Sequence, residues 1–249
     1  MAGPDPTRSP DRPGAAPAAL PSDGVEKRRS SGDLAADYIR RLIFDGVLRP
    51  GDKVNQDEIA RMLGISRIPV REALIGLERA GAVTIEIHRG AFVSPFDAAA
   101  IQDHYDLYGT VYGFAAVRAL GRGGPAVVAE LARLADGLAV EDDPEAFGRL
   151  VIAFHGRVVA AARSPRLKVV LQAMAGLVPG SFFAVVPEAV EIERRGIRAI
   201  VAAFQAGDAA RAAAEYDRTM GAVGEAVVRV FEARGLLAEP AVSTPPTPA

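Results

Sequence analysis

The sequence predicts a mainly α fold in two parts, an N-terminal winged helix-turn-helix and a C-terminal all-α bundle. Two observations predict it. Between residues 55 and 93, two short capped helical segments are followed by a cluster of β-forming residues. From residue 97 to about 234, Ala/Val/Leu-rich segments of helical character alternate with short breaks and contain no long strand pattern. The first part therefore needs three helices and a β-hairpin, and the second needs six or seven helices.

The first helix is predicted over residues 33 to 45, where Ile39 and Ile43 lie one turn apart on a single face. A Pro-Gly pair at residues 50 and 51 then favours a turn.

The second helix is short and has a recognisable start and stop. Asn55 is a suitable N-cap, and Gly64 suits the left-handed position where a helix ends. Between them Ile59, Met62 and Leu63 fall on one face, which is expected to pack on the neighbouring helices.

The third helix follows after a tight turn, and Ser66 is its predicted N-cap. Its buried stripe repeats at helical spacing through Val70, Leu74 and Leu77. Arg67 and Arg71 lie four residues apart on another face. Two arginines near the start of such a helix are placed where a recognition helix meets phosphates and base edges in the major groove of DNA.

A β-hairpin completes the first part. β-Forming residues at 83–87 and 91–93 flank a turn that contains His88, Arg89 and Gly90. Its tip therefore carries a positive charge, as expected for a wing that touches DNA.

Composition divides the chain further. Residues 1–30 contain six prolines among small and polar residues and are predicted to be a disordered tail. The predicted winged helix occupies residues 31–96 and the helical domain residues 97–236. The Pro/Thr-rich segment 237–249 is predicted to be a second disordered tail.

Several function classes are disfavoured by the sequence. The absence of cysteine removes disulfides, thiol nucleophiles and Cys-ligated zinc. No secretory leader is visible, which favours the cytoplasm. The long uncharged run at 169–187 is interrupted by Pro179, so no membrane span is expected. No P-loop, HExxH or G-x-S-x-G motif is present, and the chain is not expected to be an enzyme.

The segments PGDKV, LGISRIPVREALIGLERAGAV and HRGAFV resemble the GntR family of bacterial transcription regulators. The helical part resembles the effector-binding FCD domain of the FadR-type subfamily, whose bundle also mediates dimerisation. The resemblance implies a homodimeric regulator that binds double-stranded DNA at an inverted repeat and responds to a small-molecule effector. A repressor is the expected form.

The resemblance also assigns DNA-binding positions, which are Ser66, Arg67, Pro69, Arg71, Arg89 and Gly90. Arg67 and Arg71 match residues that contact bases and phosphates, and the last two match the tip of the wing. Arg71 has an alternative interpretation as the ion-pair partner of Glu72 or Glu78. At Asp57 some relatives carry a DNA-contacting arginine, so the reversed charge argues against DNA contact from the second helix.

Many family members bind a divalent metal through an Asp, a His four residues later and two further histidines. In this chain the four positions are Val151, His155, Ile197 and Thr219. One imidazole cannot hold a structural metal, so neither a metal of the family type nor any other cofactor is expected. His155 is then either a hydrogen-bonded core residue or a polar group that lines an effector cavity.

The predicted effector pocket contains Tyr108, Tyr112, His155, Phe182 and Arg198. Tyr105, Tyr108 and Tyr112 recur along one helical face, which is typical of core packing but also suits a pocket wall. Without a metal, the expected ligand is not a chelated carboxylate but a more apolar molecule, or there is no ligand at all.

Two other function classes are alternatives to the regulator. A winged helix with an architectural or protein-contact role would need no effector. An enzyme fused to a DNA anchor would need catalytic groups that the sequence does not supply.

Overall fold

The computed structural model describes residues 30–174 and 181–237. The N-terminal part contains α1 (Ser31–Phe44), β1 (Lys53–Val54), α2 (Gln56–Leu63), α3 (Arg67–Arg79), β2 (Val83–Glu86) and β3 (Gly90–Val93). The C-terminal part contains α4 (Ala98–Gly123), α5 (Pro125–Val140), α6 (Pro144–Ala161), α7 (Pro165–Met174), α8 (Phe182–Val185), α9 (Glu188–Ala206) and α10 (Ala209–Ala233). The predicted mainly α fold is therefore confirmed, with seven helices among the described residues of the bundle. The predicted tails and Pro179 lie outside those residues, except at residues 30 and 237.

The caps of α2 form as the sequence predicts. The Asn55 side chain accepts hydrogen bonds from the backbone N–H groups of Asp57 and Glu58, and Gly64 adopts a left-handed conformation with φ 64°. Such a φ is costly for residues with a Cβ atom, which explains the glycine. Met62 is exposed rather than buried, because only Ile59 and Ala60 of this short helix lie against the core.

Helix α3 packs on α1 through its apolar stripe, and Val70, Leu74 and Leu77 are almost completely buried. Ser66 occupies the N-cap position, but its side chain makes no capping hydrogen bond. The predicted position of the N-cap is therefore confirmed, although the Ser66 side chain leaves the backbone N–H groups of the first turn without a cap.

The wing belongs to a three-stranded antiparallel sheet of order β1-β3-β2. Strand β1, which the sequence analysis did not predict, pairs through Val54 opposite Ala91. Glu78 of α3 accepts a hydrogen bond from the backbone N–H of Ile85 at 2.8 Å. The β2–β3 hairpin is thereby attached to α3 through β2 and to β1 through β3.

The bundle is built around the antiparallel pair α4 and α10, which approach closely at glycines. A Cβ atom added to Gly109 would lie 3.0 Å from the Cα atom of Asp217, and one added to Gly113 would lie 3.3 Å from that of Ala213. Such spacing leaves no room for a side chain between the two backbones. The pair therefore forms the closely packed axis of the bundle.

An aromatic cluster connects the two parts. The Phe231 ring of α10 makes edge contacts with Phe44 and Phe96, at centroid distances of 5.0 and 5.1 Å. The Arg234 guanidinium donates a hydrogen bond to the backbone oxygen of Phe44. A cavity of about 30 Å³ beside this cluster is lined in part by Tyr105. The end of α10 is thus joined directly to the N-terminal part.

No helix within the described residues is long and apolar enough to cross a membrane.

Candidate DNA interface and bundle cavity

The N-terminal end of α3 exposes both arginine and isoleucine side chains to solvent. Arg67 and Arg71 are both exposed, and Ile68 between them is 70% exposed. Pro69 is half-buried beside them. Because the opposite face of α3 is buried in the core, these side chains point away from the domain and are accessible to a macromolecule.

The two arginines differ in their partners. Arg67 Nε lies 2.5 Å from Asp57 Oδ1, and both side chains are largely exposed. Asp57, which breaks the charge pattern of the resembled family, therefore pairs with Arg67. Arg71 makes no ion pair among the residues that the structure describes, so the alternative pairing with Glu72 or Glu78 is not observed.

The wing tip is shaped by two residues with positive φ, His88 at 64° and Gly90 at 109°. Arg89 forms an ion pair with Glu86, and its guanidinium carbon lies 5.4 Å from the centroid of the Phe92 ring. A Cβ atom added to Gly90 would lie 3.1 Å from Cε of Lys53. Lys53 is thus a second cation of the wing, and it was missed because β1 was not predicted.

A cavity of about 1030 Å³ lies within the bundle, between α4, α6, α7, α8, α9 and α10. Tyr108, Tyr112, His155 and Phe182 of the predicted pocket line this cavity. Arg198 does not. It is exposed, because the buried face of α9 runs through Ile197 and Ile200 and position 198 points outward. The prediction for Arg198 is therefore wrong.

A buried polar group lies at His155. The ring is only 6% exposed; its Nδ1 lies 3.3 Å from the Tyr216 hydroxyl, and its Nε2 lies 3.5 Å from Glu193 Oε2. The second contact lacks hydrogen-bond geometry, and both Nε2 and Oε2 remain without a hydrogen-bond partner. His155 therefore satisfies both sequence-based alternatives, since it is buried and also lines the cavity.

Glu193 is the site residue that the sequence analysis missed. It is 4% exposed and lines the cavity from α9. A signal was present in the sequence, because Glu193 lies four residues before Ile197 and therefore falls within an apolar helical stripe. A carboxylate at such a position is a candidate for function.

Tyrosines surround this polar group. The rings of Tyr112 and Tyr216 stack with centroids 5.4 Å apart, and the hydroxyls of Tyr108 and Tyr112 lie 3.5 Å apart. Burial raises the pKa of Tyr105, Tyr112 and Tyr216 well above the ordinary phenol value, and the Glu193 carboxylate raises each further. These phenols stay neutral at physiological pH, and Tyr105, Tyr108 and Tyr112 serve as both core and cavity wall.

The family-type metal does not fit these residues. Val151 and Ile197 carry no donor atom, and the Thr219 hydroxyl already donates to the backbone oxygen of Glu215 at 2.6 Å. Of the four family positions only His155 offers a metal-coordinating atom, and Glu193 lies 3.5 Å from it. Among the described residues, no group of three or more His, Asp or Glu side chains is arranged to hold a metal ion.

Comparison with known proteins gives two matches to family models. The model described as bacterial regulatory proteins, gntR family, matches residues 33–93, and the FCD domain model matches residues 103–221. Together the two matched regions cover both parts of the fold.

Curated relatives agree with these models. The chain is 36% identical over 151 residues to an uncharacterized HTH-type transcriptional regulator of Mycobacterium tuberculosis, covering 61% of this chain and 62% of that protein. It is 32% identical over 124 residues to the Nta operon transcriptional regulator of Aminobacter aminovorans, covering 48% and 58%. The aligned regions thus span about three fifths of these relatives.

Solved structures resemble the fold. McbR/YncC of E. coli superposes with a TM-score of 0.59 at 17% identity, covering 82% of this chain and 98% of that one. A putative transcriptional regulator GntR from Rhodococcus superposes with a TM-score of 0.54 at 24% identity, covering 80% and 97%. At these identities the likeness concerns the arrangement of helices and strands alone.

Proposed function

The chain belongs to the GntR family of bacterial regulatory proteins and carries an FCD domain, and from that premise we propose that it is an effector-responsive transcriptional repressor. The family consists of DNA-binding regulators rather than enzymes. In this proposal a cytoplasmic homodimer binds an inverted-repeat operator, and a small molecule in the bundle cavity alters that binding.

The exposed start of α3 is the observation that supports DNA binding most directly. Arg67, Arg71 and Ile68 project from a helix whose other face is fixed in the core, as a helix entering the major groove requires. Arg89 and Lys53 add two cations at the wing, where the phosphate backbone would pass. Ser66, Pro69 and Gly90 act mainly by shaping the backbone that presents these side chains.

An apolar stripe on α4 supports the homodimer. Leu107, Phe114 and Val117 are all exposed, with Phe114 at 50%, and they lie on one side of the longest helix of the bundle. Contiguous exposed apolar side chains mark interaction surfaces in folded proteins. A second copy covering this stripe would relate two α3 helices by a two-fold axis, as an inverted repeat requires.

The bundle cavity supports the effector. Its volume of about 1030 Å³ is at the upper end of small-molecule sites, and its lining combines aromatic and aliphatic walls with a few buried polar atoms. Because the metal ligands of the family are replaced by Val151, Ile197 and Thr219, we propose that the effector binds without a metal ion.

Selection of bound duplexes from a random pool, followed by a titration at several salt concentrations, tests the proposal. The expected result is an inverted repeat bound far more tightly than unrelated DNA, with affinity falling linearly on a logarithmic salt scale. Equal affinity for all sequences would support an architectural role instead, and no binding to any duplex would overturn the proposal.

The Phe114→Glu variant is expected to be monomeric. A carboxylate at the centre of the α4 stripe would have to be desolvated against the apolar surface of the second copy. Light scattering after size-exclusion chromatography measures the mass. Val140→Glu, at an exposed apolar position at the end of α5, is the matched control and should remain dimeric. A dimeric Phe114→Glu protein would show that the interface lies elsewhere.

A further inference from the structure

Within the described residues, no cationic side chain forms a hydrogen bond with the buried Oε2 atom of Glu193. The carboxylate is almost completely buried, and its Oε2 atom has no hydrogen-bond partner. Its nearest ionisable partner within the described residues is His155, at 3.5 Å and without hydrogen-bond geometry. Burying a carboxylate oxygen without a hydrogen bond carries a desolvation cost. A group that donates hydrogen bonds from the cavity would offset that cost.

The imidazole leaves room for such a donor. Nδ1 of His155 is engaged with the Tyr216 hydroxyl, so only Nε2 faces Glu193. Both residues line the cavity, and therefore a ligand that enters it can approach the Glu193 carboxylate. A ligand carboxylate at this end would instead face Glu193 and be repelled.

The surrounding rings favour a cation over a neutral donor. Tyr105, Tyr108 and Tyr112 line the same cavity, and Tyr112 also packs against the His155 ring with centroids 4.9 Å apart. Aromatic faces carry negative partial charge and attract ammonium groups in desolvated sites. A buried carboxylate beside several tyrosine rings is thus a combination that recognises organic ammonium ions.

We propose that the Glu193 end of the bundle cavity binds an organic ammonium group, so that the effector is an amphipathic amine. This inference rests on the proposed effector site. The apolar body of the amine packs against Val151, Leu171 and Phe182. Arg163 and Lys168 also line the cavity, but both are exposed, and solvent and salt screen their repulsion of an entering cation.

A matched series of ligands tests the charge preference without changing the protein. Octylamine, octanol and octanoate share one apolar body and differ in the head group. Titrated calorimetrically at neutral pH into the full chain without DNA, octylamine is expected to bind at least about tenfold more tightly than octanol, with octanoate weakest. Equal or weaker binding of octylamine relative to octanol, including no detectable binding, would overturn the proposal.

The Glu193→Gln variant tests whether Glu193 causes the preference for octylamine over octanol. It keeps the shape of the side chain and removes its charge, so the advantage of octylamine over octanol is expected to disappear. Glu225→Gln is the matched control, since Glu225 is exposed and pairs with Arg229 away from the cavity. An unchanged preference in a folded Glu193→Gln protein would contradict the proposal.

Failure of the regulator proposal can be distinguished from failure of this one. Operator affinity of the wild-type chain, measured on the same preparation, reports DNA binding alone. If the chain binds operator but shows no preference for octylamine, only the amine proposal is rejected. If it prefers octylamine but does not bind operator, only the regulator proposal is rejected. If Glu193→Gln does not fold, the three-ligand comparison on the wild-type chain still decides the question.

Discussion

Replacing Arg71 by alanine is expected to weaken operator binding by about 1 to 3 kcal/mol, or roughly five- to 150-fold. Arg71 is exposed at the start of α3 and has no ion-pair partner among the described residues. Its guanidinium can therefore contact a base edge or a phosphate without first breaking an internal contact. Fluorescence anisotropy with a labelled operator, at two salt concentrations, measures both the affinity and its salt dependence.

Arg67→Ala is expected to have a similar or smaller effect, because Arg67 must leave Asp57 before it binds DNA. An exposed ion pair of this kind contributes only about 0 to 1 kcal/mol, so DNA can replace it. Asp57→Asn should consequently strengthen operator binding, since it frees Arg67 and removes a negative charge near the phosphates.

Arg79→Ala is the control for these variants. Arg79 is exposed at the opposite end of the same helix, about 18 Å from Arg67 along the axis. Like Arg71→Ala, the Arg79→Ala variant removes one positive charge from the protein, but it leaves the proposed DNA interface unchanged. If Arg71→Ala binds operator as tightly as Arg79→Ala does, α3 is not the recognition helix.

The Gly196→Ala variant is expected to lose about 1 to 3 kcal/mol of stability through overpacking. A Cβ atom at this position would lie 2.8 Å from the Cβ atom of Thr219, too close for rotation of the threonine to relieve. The clash falls where α9 packs on α10 beside the cavity. It outweighs the roughly 0.5 to 1 kcal/mol that alanine gains over glycine within a helix. Urea denaturation followed by circular dichroism gives the free energy of unfolding.

Gly121→Ala provides the comparison. Gly121 lies within α4, and an added Cβ atom there meets no heavy atom within 4 Å. This variant should be as stable as the wild type or slightly more so, because only the helix propensity changes. Equal stability of the two alanine variants would mean that α9 and α10 are less closely packed than the structure indicates.

The N-terminal fold follows closely from local sequence signals. Asn55 and Gly64 mark the ends of α2, and the spacing of Val70, Leu74 and Leu77 gives the buried face of α3. These signals involve only neighbouring residues. Strand β1 has two residues and no periodicity of its own, so it becomes visible only when its partner β3 is in place.

The cavity was less predictable, because its polar group joins residues that are distant in sequence. His155 was identified from a motif, but its contact with Glu193 depends on how α9 is rotated against α6. That rotation is set by the whole apolar stripe of α9, which turns Glu193 inward and Arg198 outward. Charge alone would favour Arg198 as the residue that contacts a ligand, whereas helical periodicity places Glu193 on the buried face of α9.

The close packing of α4 against α10 has a mechanical consequence. With the backbones in close contact at Gly109 and Gly113, we expect the two helices to resist sliding and to move together as one rigid unit. From Tyr216 beside His155 to Phe231 against Phe44, α10 extends about 22 Å. A tilt of about 5° at the ligand end therefore displaces the other end by about 2 Å. In the proposed homodimer, we expect a displacement of that size to change the spacing of the two α3 helices relative to adjacent turns of DNA.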